Sequence, residues 1–152
     1  VMSEKIDSVL TFIILNYYKP SISVFRLIRI VFLAEWYSAI IQKETLSSSV
    51  WYRRNFGPDS DEVTRSLLNL KDIYLEQNND DLDGISISVF RTDNLHNYNL
   101  SALERNIVSL AIKHAKEFDF IELDNYIENL FPMKNTAINA EINLKDLAKN
   151  AP

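Results

Sequence analysis

Residues 23–42 read SVFRLIRIVFLAEWYSAIIQ, and this stretch decides the fold. Apolar residues lie on nearly every side of the helix that it would form, and such a helix is buried at the centre of a domain. The stretch is long enough to span a membrane, but Arg26, Arg29 and Glu35 would each be costly inside a bilayer. The sequence therefore predicts a central core helix and no contact with a membrane.

Helices are predicted on both sides of this central helix. Residues 4–18 place apolar side chains at the spacing of one helical face, and Pro20 ends that helix. The spacings Asp59 to Glu62 and Ser101 to Glu104 are those of capping boxes, which begin helices. We therefore predict helices over residues 4–18, 59–74, from 101 onward and over 122–130, with an amphipathic fragment at 142–147.

Strand signals are fewer than helix signals. Residues 47–56 are rich in β-branched and aromatic residues, and residues 85–89 alternate apolar and polar side chains. Residues 76–83 are polar and acidic and predict a surface loop. The order of elements predicts an α+β fold: one mostly helical domain over residues 3–147 around the central apolar helix, with a small two-stranded β element. Residues 148–152 are expected to be a tail.

Composition excludes several classes of protein. The chain has 152 residues, of which 47% are hydrophobic, which suits one globular domain. Its only glycines are Gly57 and Gly84, so a glycine-rich phosphate-binding loop cannot be built. The absence of cysteine excludes a disulfide framework and a thiol nucleophile, and it suits a reducing compartment. We expect a cytoplasmic protein.

The net charge of −5 is unevenly distributed. Residues 19–71 contain eight basic and five acidic residues, a net charge of +3, whereas residues 72–152 contain seven basic and fourteen acidic residues, a net charge of −7. A nucleic-acid-binding protein normally has a dense basic face. This distribution favours a protein partner or internal charge pairing.

Neither a metal site nor a catalytic site is predicted. His96 is predicted in a loop and His114 on a helix face, where His114 is expected to be a hydrogen-bonded histidine in the core or at its boundary. Four residues match the first half of a calcium-binding EF-hand loop: Asn79, Asp81, Asp83 and Gly84. The last position of such a loop must be glutamate, and here it is Phe90, so calcium binding is not expected. No serine lies on a strained turn near a base. We expect no enzyme activity, no metal and no cofactor.

Nucleic-acid binding is the alternative function that the residues suggest. It would use Trp51 and Tyr52 as stacking aromatics beside a group of basic residues, namely Arg26, Arg29, Arg53, Arg54 and Arg65. The simpler interpretation is that Arg53 and Arg54 point to opposite faces of a strand, where one pairs with an acid such as Glu35 and the other is solvated. The acidic isoelectric point of about 5.0 favours that interpretation.

Several segments in a fixed order resemble one known family. Residues 31–37, VFLAEWY, are similar to the LYLADWYH helix of the SocA-like antitoxin family, also called the Panacea domain or DUF4065. The similarity continues through Thr45-Leu46, Trp51 to Phe56, the x-x-G-P turn at residues 55–58, Leu100-Ser101 with Glu104, and residues 121–123. It covers about residues 5–147. Asp59-Ser60 departs from the hydrophobic residue that usually follows G-P in the family.

The resemblance implies a bacterial or phage antitoxin that neutralises a cognate toxin protein by direct binding. One member of that family also delivers its toxin to a ClpXP-type protease, and the resemblance leaves this adaptor role open for the present chain. It also leaves the oligomeric state open.

Binding of this kind needs an interface rather than chemistry. Aromatic and arginine side chains are the usual anchors of such interfaces. Anchors are therefore predicted on the strand, at the turn and at the end of the central helix: Tyr37, Trp51, Arg53, Arg54, Phe56 and Pro58. For each of them the alternative is a purely structural role, with Tyr37 in the core and Pro58 setting the turn.

Overall fold

A computed structural model describes residues 5–80 and 84–152, and it has an α+β architecture. The helices of this described part are α1 (Lys5–Asn16), α2 (Val24–Gln42), α3 (Asp61–Asn69), α4 (Ala102–Lys116), α5 (Phe120–Glu128), α6 (Phe131–Lys134) and α7 (Leu144–Asn150). The strands are β1 (Ser21–Ser23), β2 (Trp51–Arg54), β3 (Gly57–Asp59), β4 (Ile73–Asp80), β5 (Gly84–Arg91) and β6 (Glu141–Ile142). The predicted fold class is confirmed.

The central helix is confirmed as the core. Helix α2 packs against α1, α4, α7 and β5, and twelve of its residues are buried. Ser23 caps its first turn by accepting a hydrogen bond from the backbone N–H of Arg26. In the described part of the chain, no helix has both the length and the apolar character needed to cross a bilayer.

Three charged side chains of α2 are buried, and two of them, Arg26 and Glu35, hold neighbouring segments through backbone groups. The Arg26 guanidinium donates to the carbonyl of Ala115 at 2.8 Å and also to that of Phe118, at the C-terminal end of α4. A cation there is favourable because the last carbonyls of a helix lack partners and carry partial negative charge. The Glu35 carboxylate accepts from the backbone N–H of Leu46 at 2.6 Å and from both the N–H and the hydroxyl of Ser47. These bonds hold α4 and the 46–47 loop against α2.

The β structure is larger than the predicted two-stranded element. The strands form two three-stranded sheets, one in the order β1-β5-β4 and the other in the order β3-β2-β6. All pairings are antiparallel. Strands β1 and β6 have only three and two residues, which is too short for an alternating pattern to show in the sequence. They form because the neighbouring strand supplies backbone hydrogen bonds.

The prediction of a surface loop over residues 76–83 was wrong for residues 76–80. Those residues belong to β4, which pairs with β5 along its whole length from Ile73↔Arg91 to Asp80↔Gly84. Residues 76–80 do not show the alternation of apolar and polar side chains that predicts a strand. Polar side chains can occupy both faces of a hairpin that extends away from the core. Asp81 and Asp83, which belonged to the excluded calcium loop, lie outside the described residues.

Three predicted boundaries also differ from the structure. Helix α3 ends at Asn69 instead of reaching Tyr74, because Asp72 turns the chain with φ 66° before β4. Its N-cap is Ser60, one residue after the predicted Asp59. Helix α7 continues to Asn150 and buries Ala148, so the predicted boundary at residue 147 falls inside a helix. By contrast, the Ser101–Glu104 capping box is confirmed.

Replacing Trp36 tests the central position of α2. Trp36 is only 6% exposed and its ring stacks on Phe131 with 6.3 Å between centroids. We expect Trp36→Ala to lower the free energy of unfolding by about 3–5 kcal/mol, because the change leaves a large cavity. Urea denaturation measures this loss. The control Leu68→Ala, at a side chain that is 66% exposed, should change it by no more than about 0.5 kcal/mol; similar losses in the two variants would contradict the assignment.

Glu35 gives the fold a specific dependence on pH. Burial raises the pKa of Glu35 from 4.5 to about 7, against the opposing effect of its hydrogen bonds to Leu46 and Ser47. Between these two values the unfolded chain releases the proton while the folded chain retains it, so stability falls as pH rises from about 4.5 to 7. The free energy of unfolding falls in total by on the order of 3 kcal/mol, and the stability stays lower by this amount above pH 7.

The isosteric variant Glu35→Gln isolates this contribution. Its amide oxygen can accept the bonds from Leu46 and Ser47, and its NH₂ can donate to the Ser47 hydroxyl oxygen. We therefore expect Glu35→Gln to be the more stable protein at pH 8 and to lose the decrease in stability between pH 5 and 8. Urea unfolding at the two pH values measures this difference. Equal pH dependence in both proteins would show that the folded protein does not raise the pKa of Glu35.

Candidate partner-binding surface

A tight hairpin formed by β2 and β3 carries several of the predicted anchors. Arg54 is opposite Gly57, so the turn consists of Asn55 and Phe56. The Phe56 side chain is 64% exposed at the tip of this turn. An aromatic ring at such a position is available to a partner.

Buried Arg29 holds the hairpin against the central helix. Its guanidinium donates to the carbonyl of Phe56, lies 3.2 Å from the centroid of the Phe25 ring, and is 3.4 Å from the Asp124 carboxylate of α5. Burial lowers the pKa of Arg29 to about 10, with Asp124 and Glu128 opposing the shift. Arg29 therefore remains a cation at neutral pH and joins α2, the turn and α5.

Gly57 is required by this arrangement. It has φ 120°, a conformation that other residues rarely adopt. A Cβ atom at this position would lie 3.1 Å from Cζ of Arg29 and would meet its terminal nitrogen. The glycine of the G-P turn therefore allows the backbone to approach the guanidinium closely.

The start of α5 adds exposed apolar side chains beside the turn. Phe120 stacks on Phe25 with 4.2 Å between ring centroids, and the same Phe25 ring lies against Arg29. Phe120 is 40% exposed and the next residue, Ile121, is 67% exposed. We call the group formed by Arg53, Arg54, Phe56, Phe120 and Ile121 the hairpin surface.

The two arginines of the hairpin surface form contacts within the chain. Arg53 donates to the carbonyl of Thr136 at 2.7 Å and lies 3.6 Å from the Glu128 carboxylate. Arg54 lies over the Tyr52 ring, 4.9 Å from its centroid, and donates to the side chain of Asn139 at 3.3 Å. The suggested pairing of one arginine with Glu35 was wrong, because that carboxylate faces the 46–47 loop. Both arginines remain partly exposed.

Two predicted anchors are core residues. Trp51 is 1% exposed and contacts Phe32 edge-on, with 5.2 Å between centroids. Pro58 is also buried, as is Gly57 before it, although Phe56 and Asp59 are not. Neither side chain can contact a partner while the domain is folded as described. The sequence signal was ambiguous because aromatic residues occur both in cores and at interfaces.

Tyr37 lies eight residues after Arg29 on α2, in a separate cluster. Its hydroxyl is 2.8 Å from Nδ1 of His114 and 3.0 Å from the hydroxyl of Tyr126. Burial and the bond to Tyr126 raise the pKa of Tyr37. His114 is thus hydrogen-bonded, as predicted, but it is exposed and does not lie in the core. The cluster borders an open pocket of about 600 Å³ lined also by Lys113, Lys116 and Phe118.

Sequence reasoning missed the contacts that join the turn to α2 and α5. Arg29 and Asp124 are 95 positions apart, and no local pattern joins them. One signal was available: a charged residue in a helix that is apolar on nearly every side must find a buried partner. That signal indicates that Arg29 has a structural role but does not identify the partner.

Metal ligation finds no support among residues 5–80 and 84–152. Within these ranges no group of three histidine or acidic side chains is placed to hold a metal ion.

Comparison of the chain with protein-family models, curated proteins and solved structures finds no match. The similarity to the SocA-like antitoxins thus stays a prediction.

Replacing Gly57 tests the anchoring of the hairpin. We expect Gly57→Ala to lower the free energy of unfolding by at least about 2 kcal/mol, because it combines an unfavourable φ with displacement of Arg29. Thermal or urea unfolding measures this effect. Asn55→Ala, at an exposed position of the same turn, should change stability by no more than about 0.5 kcal/mol. A similarly small effect for Gly57→Ala would show that the guanidinium can move aside without cost.

Proposed function

We propose that this protein is an antitoxin-like protein that binds a partner toxin through the hairpin surface and neutralises it by covering a surface the toxin needs. The observation that carries this proposal is the 64% exposed Phe56 ring at the tip of a turn anchored by buried Arg29. The resemblance of residues 31–58 to the antitoxin family supplies the class of partner.

The hairpin surface has the composition of a binding site. Its three apolar side chains, Phe56, Phe120 and Ile121, are exposed, and its two arginines are partly exposed. Aromatic and arginine residues are enriched at the centres of interfaces. Because Arg29 fixes the backbone of the turn, binding would cost little additional ordering of this loop. A cytoplasmic location is proposed from the absence of cysteine, and an adaptor role with a ClpXP-type protease is proposed from the resemblance.

The nucleic-acid alternative has less support. Arg26 and Arg29 are buried, and Arg53 and Arg54 lie close to Glu128 and Asp59. Neutralised or buried cations contribute little to phosphate binding, which relies on the release of counterions from an exposed basic face.

Co-expression with the product of the neighbouring gene tests the proposal. We expect that product to arrest growth when it is expressed alone, and we expect the present chain to prevent the arrest and to co-purify with it. Phe56→Asp should weaken the complex by at least about 30-fold, which corresponds to about 2 kcal/mol. It should leave stability within about 0.5 kcal/mol, because the side chain is exposed.

Leu68→Asp is the matched control, since Leu68 is 66% exposed near the end of α3, a helix that packs against α1. It should bind the toxin like the unmodified protein. If Leu68→Asp breaks the complex and Phe56→Asp does not, the partner uses another surface. A neighbour that neither binds nor arrests growth would refute the antitoxin role. Binding to DNA that weakens steeply with salt would then favour the nucleic-acid alternative.

A further inference from the structure

Strand β4 is an open edge of the β1-β5-β4 sheet. One side of β4 pairs with β5 over all eight residues, and no described strand pairs with its other side. Sheet edges are often protected by charged side chains, lysine above all, by proline or by a bulge. Strand β4 contains no lysine and no proline, and its register with β5 continues without an extra residue.

The register identifies the backbone groups that point outward. The N–H of Thr92 donates to the carbonyl of Asp72 at 2.9 Å, just before β4 begins. Hydrogen-bonded and non-hydrogen-bonded pairs alternate along an antiparallel ladder. The N–H and carbonyl groups of Ile73, Leu75, Gln77 and Asn79 therefore point away from β5. An extended segment can pair with them without disturbing the existing sheet.

The charge of the region around β4 indicates what kind of extended segment could pair with this strand. Residues 72–84 contain five acidic residues and no basic residue. The whole chain has 21 acidic and 16 basic residues, so the remainder contains 16 of each. This short region thus accounts for the entire net charge of −5. Pairing of β4 with a second copy would add further acidic residues and no basic residue to this region, which the like charges disfavour.

Side chains of β4 also offer apolar contacts. Tyr74 and Leu75 are 47% and 41% exposed, and as neighbours in a strand they lie on opposite faces of the sheet. Tyr74 is held by stacking on Phe90, with 5.3 Å between ring centroids. An added strand would meet one apolar side chain on each face, together with the exposed Glu76 carboxylate.

We propose that β4 is a strand-addition site that accepts an extended, basic segment of another protein. The outward backbone groups would provide the pairing, and Tyr74, Leu75 and Glu76 would select a segment that combines apolar and basic residues. This inference does not depend on the proposed function, since it concerns the other sheet and needs no toxin.

Hydrogen exchange with a defined peptide tests the proposal. The probe is an eight-residue peptide of alternating valine and lysine, acetylated and amidated at its ends, and affinity is measured by calorimetry. We expect the peptide to slow exchange at Ile73, Leu75, Gln77 and Asn79. Gln77→Pro removes one outward N–H without removing a bond to β5, and we expect it to weaken binding by at least about tenfold.

Three controls separate strand addition from simple charge attraction. A peptide with alternate backbone amides methylated should not bind, and it tests pairing without altering the protein. Glu76→Lys should weaken binding by about tenfold. Glu117→Lys, at an exposed position on the end of α4, should not weaken it.

Three results would overturn the proposal. The first is the absence of protection at the four outward amides. The second is equal affinity of the methylated and unmethylated peptides, which would show that charge alone attracts them. The third is a homodimer that Gln77→Pro dissociates, which would show that a second copy of the chain occupies the edge.

Discussion

Helix α2 is buried on nearly every side, so its charged side chains are removed from water. Three of them form hydrogen bonds to the backbone of other elements instead. Arg26 reaches the end of α4, Arg29 reaches the turn between β2 and β3, and Glu35 reaches the 46–47 loop. Each charge exchanges solvation for hydrogen bonds to backbone groups of another element. The positions of α4, the hairpin and the loop all depend on this exchange.

The same principle explains which parts of the fold the sequence could predict. The buried helix and the Ser101–Glu104 capping box were predictable because their signals are local: composition in one case and a three-residue spacing in the other. Strand β4 was not, because polar side chains on both of its faces remove the alternating pattern. Strands β1 and β6 depend on segments far away in the chain, and their own sequences are too short to carry a signal.

The candidate site was only partly predictable for a similar reason. Sequence reasoning placed candidate anchors within residues 51–58, which form the β2–β3 hairpin, and Phe56 is exposed there. It could not distinguish Trp51, which fills the core, from an interface residue, because large aromatic side chains favour both environments. Phe120 and Ile121 were missed because only the tertiary contacts of Arg29 and Phe25 bring α5 beside the turn.

The pairing of β2 with β6 has a consequence for how the protein is made. Trp51 is opposite Ile142, and the backbone of Arg53 is bonded to both Asn139 and Ala140. Ribosomes synthesise chains from the amino end, so β2 and the hairpin turn emerge about ninety residues before their third strand, a separation that also makes loop closure entropically costly. A nascent chain therefore exposes one edge of β2 until residues 139–142 arrive. Chaperone dependence during synthesis would be concentrated in that interval.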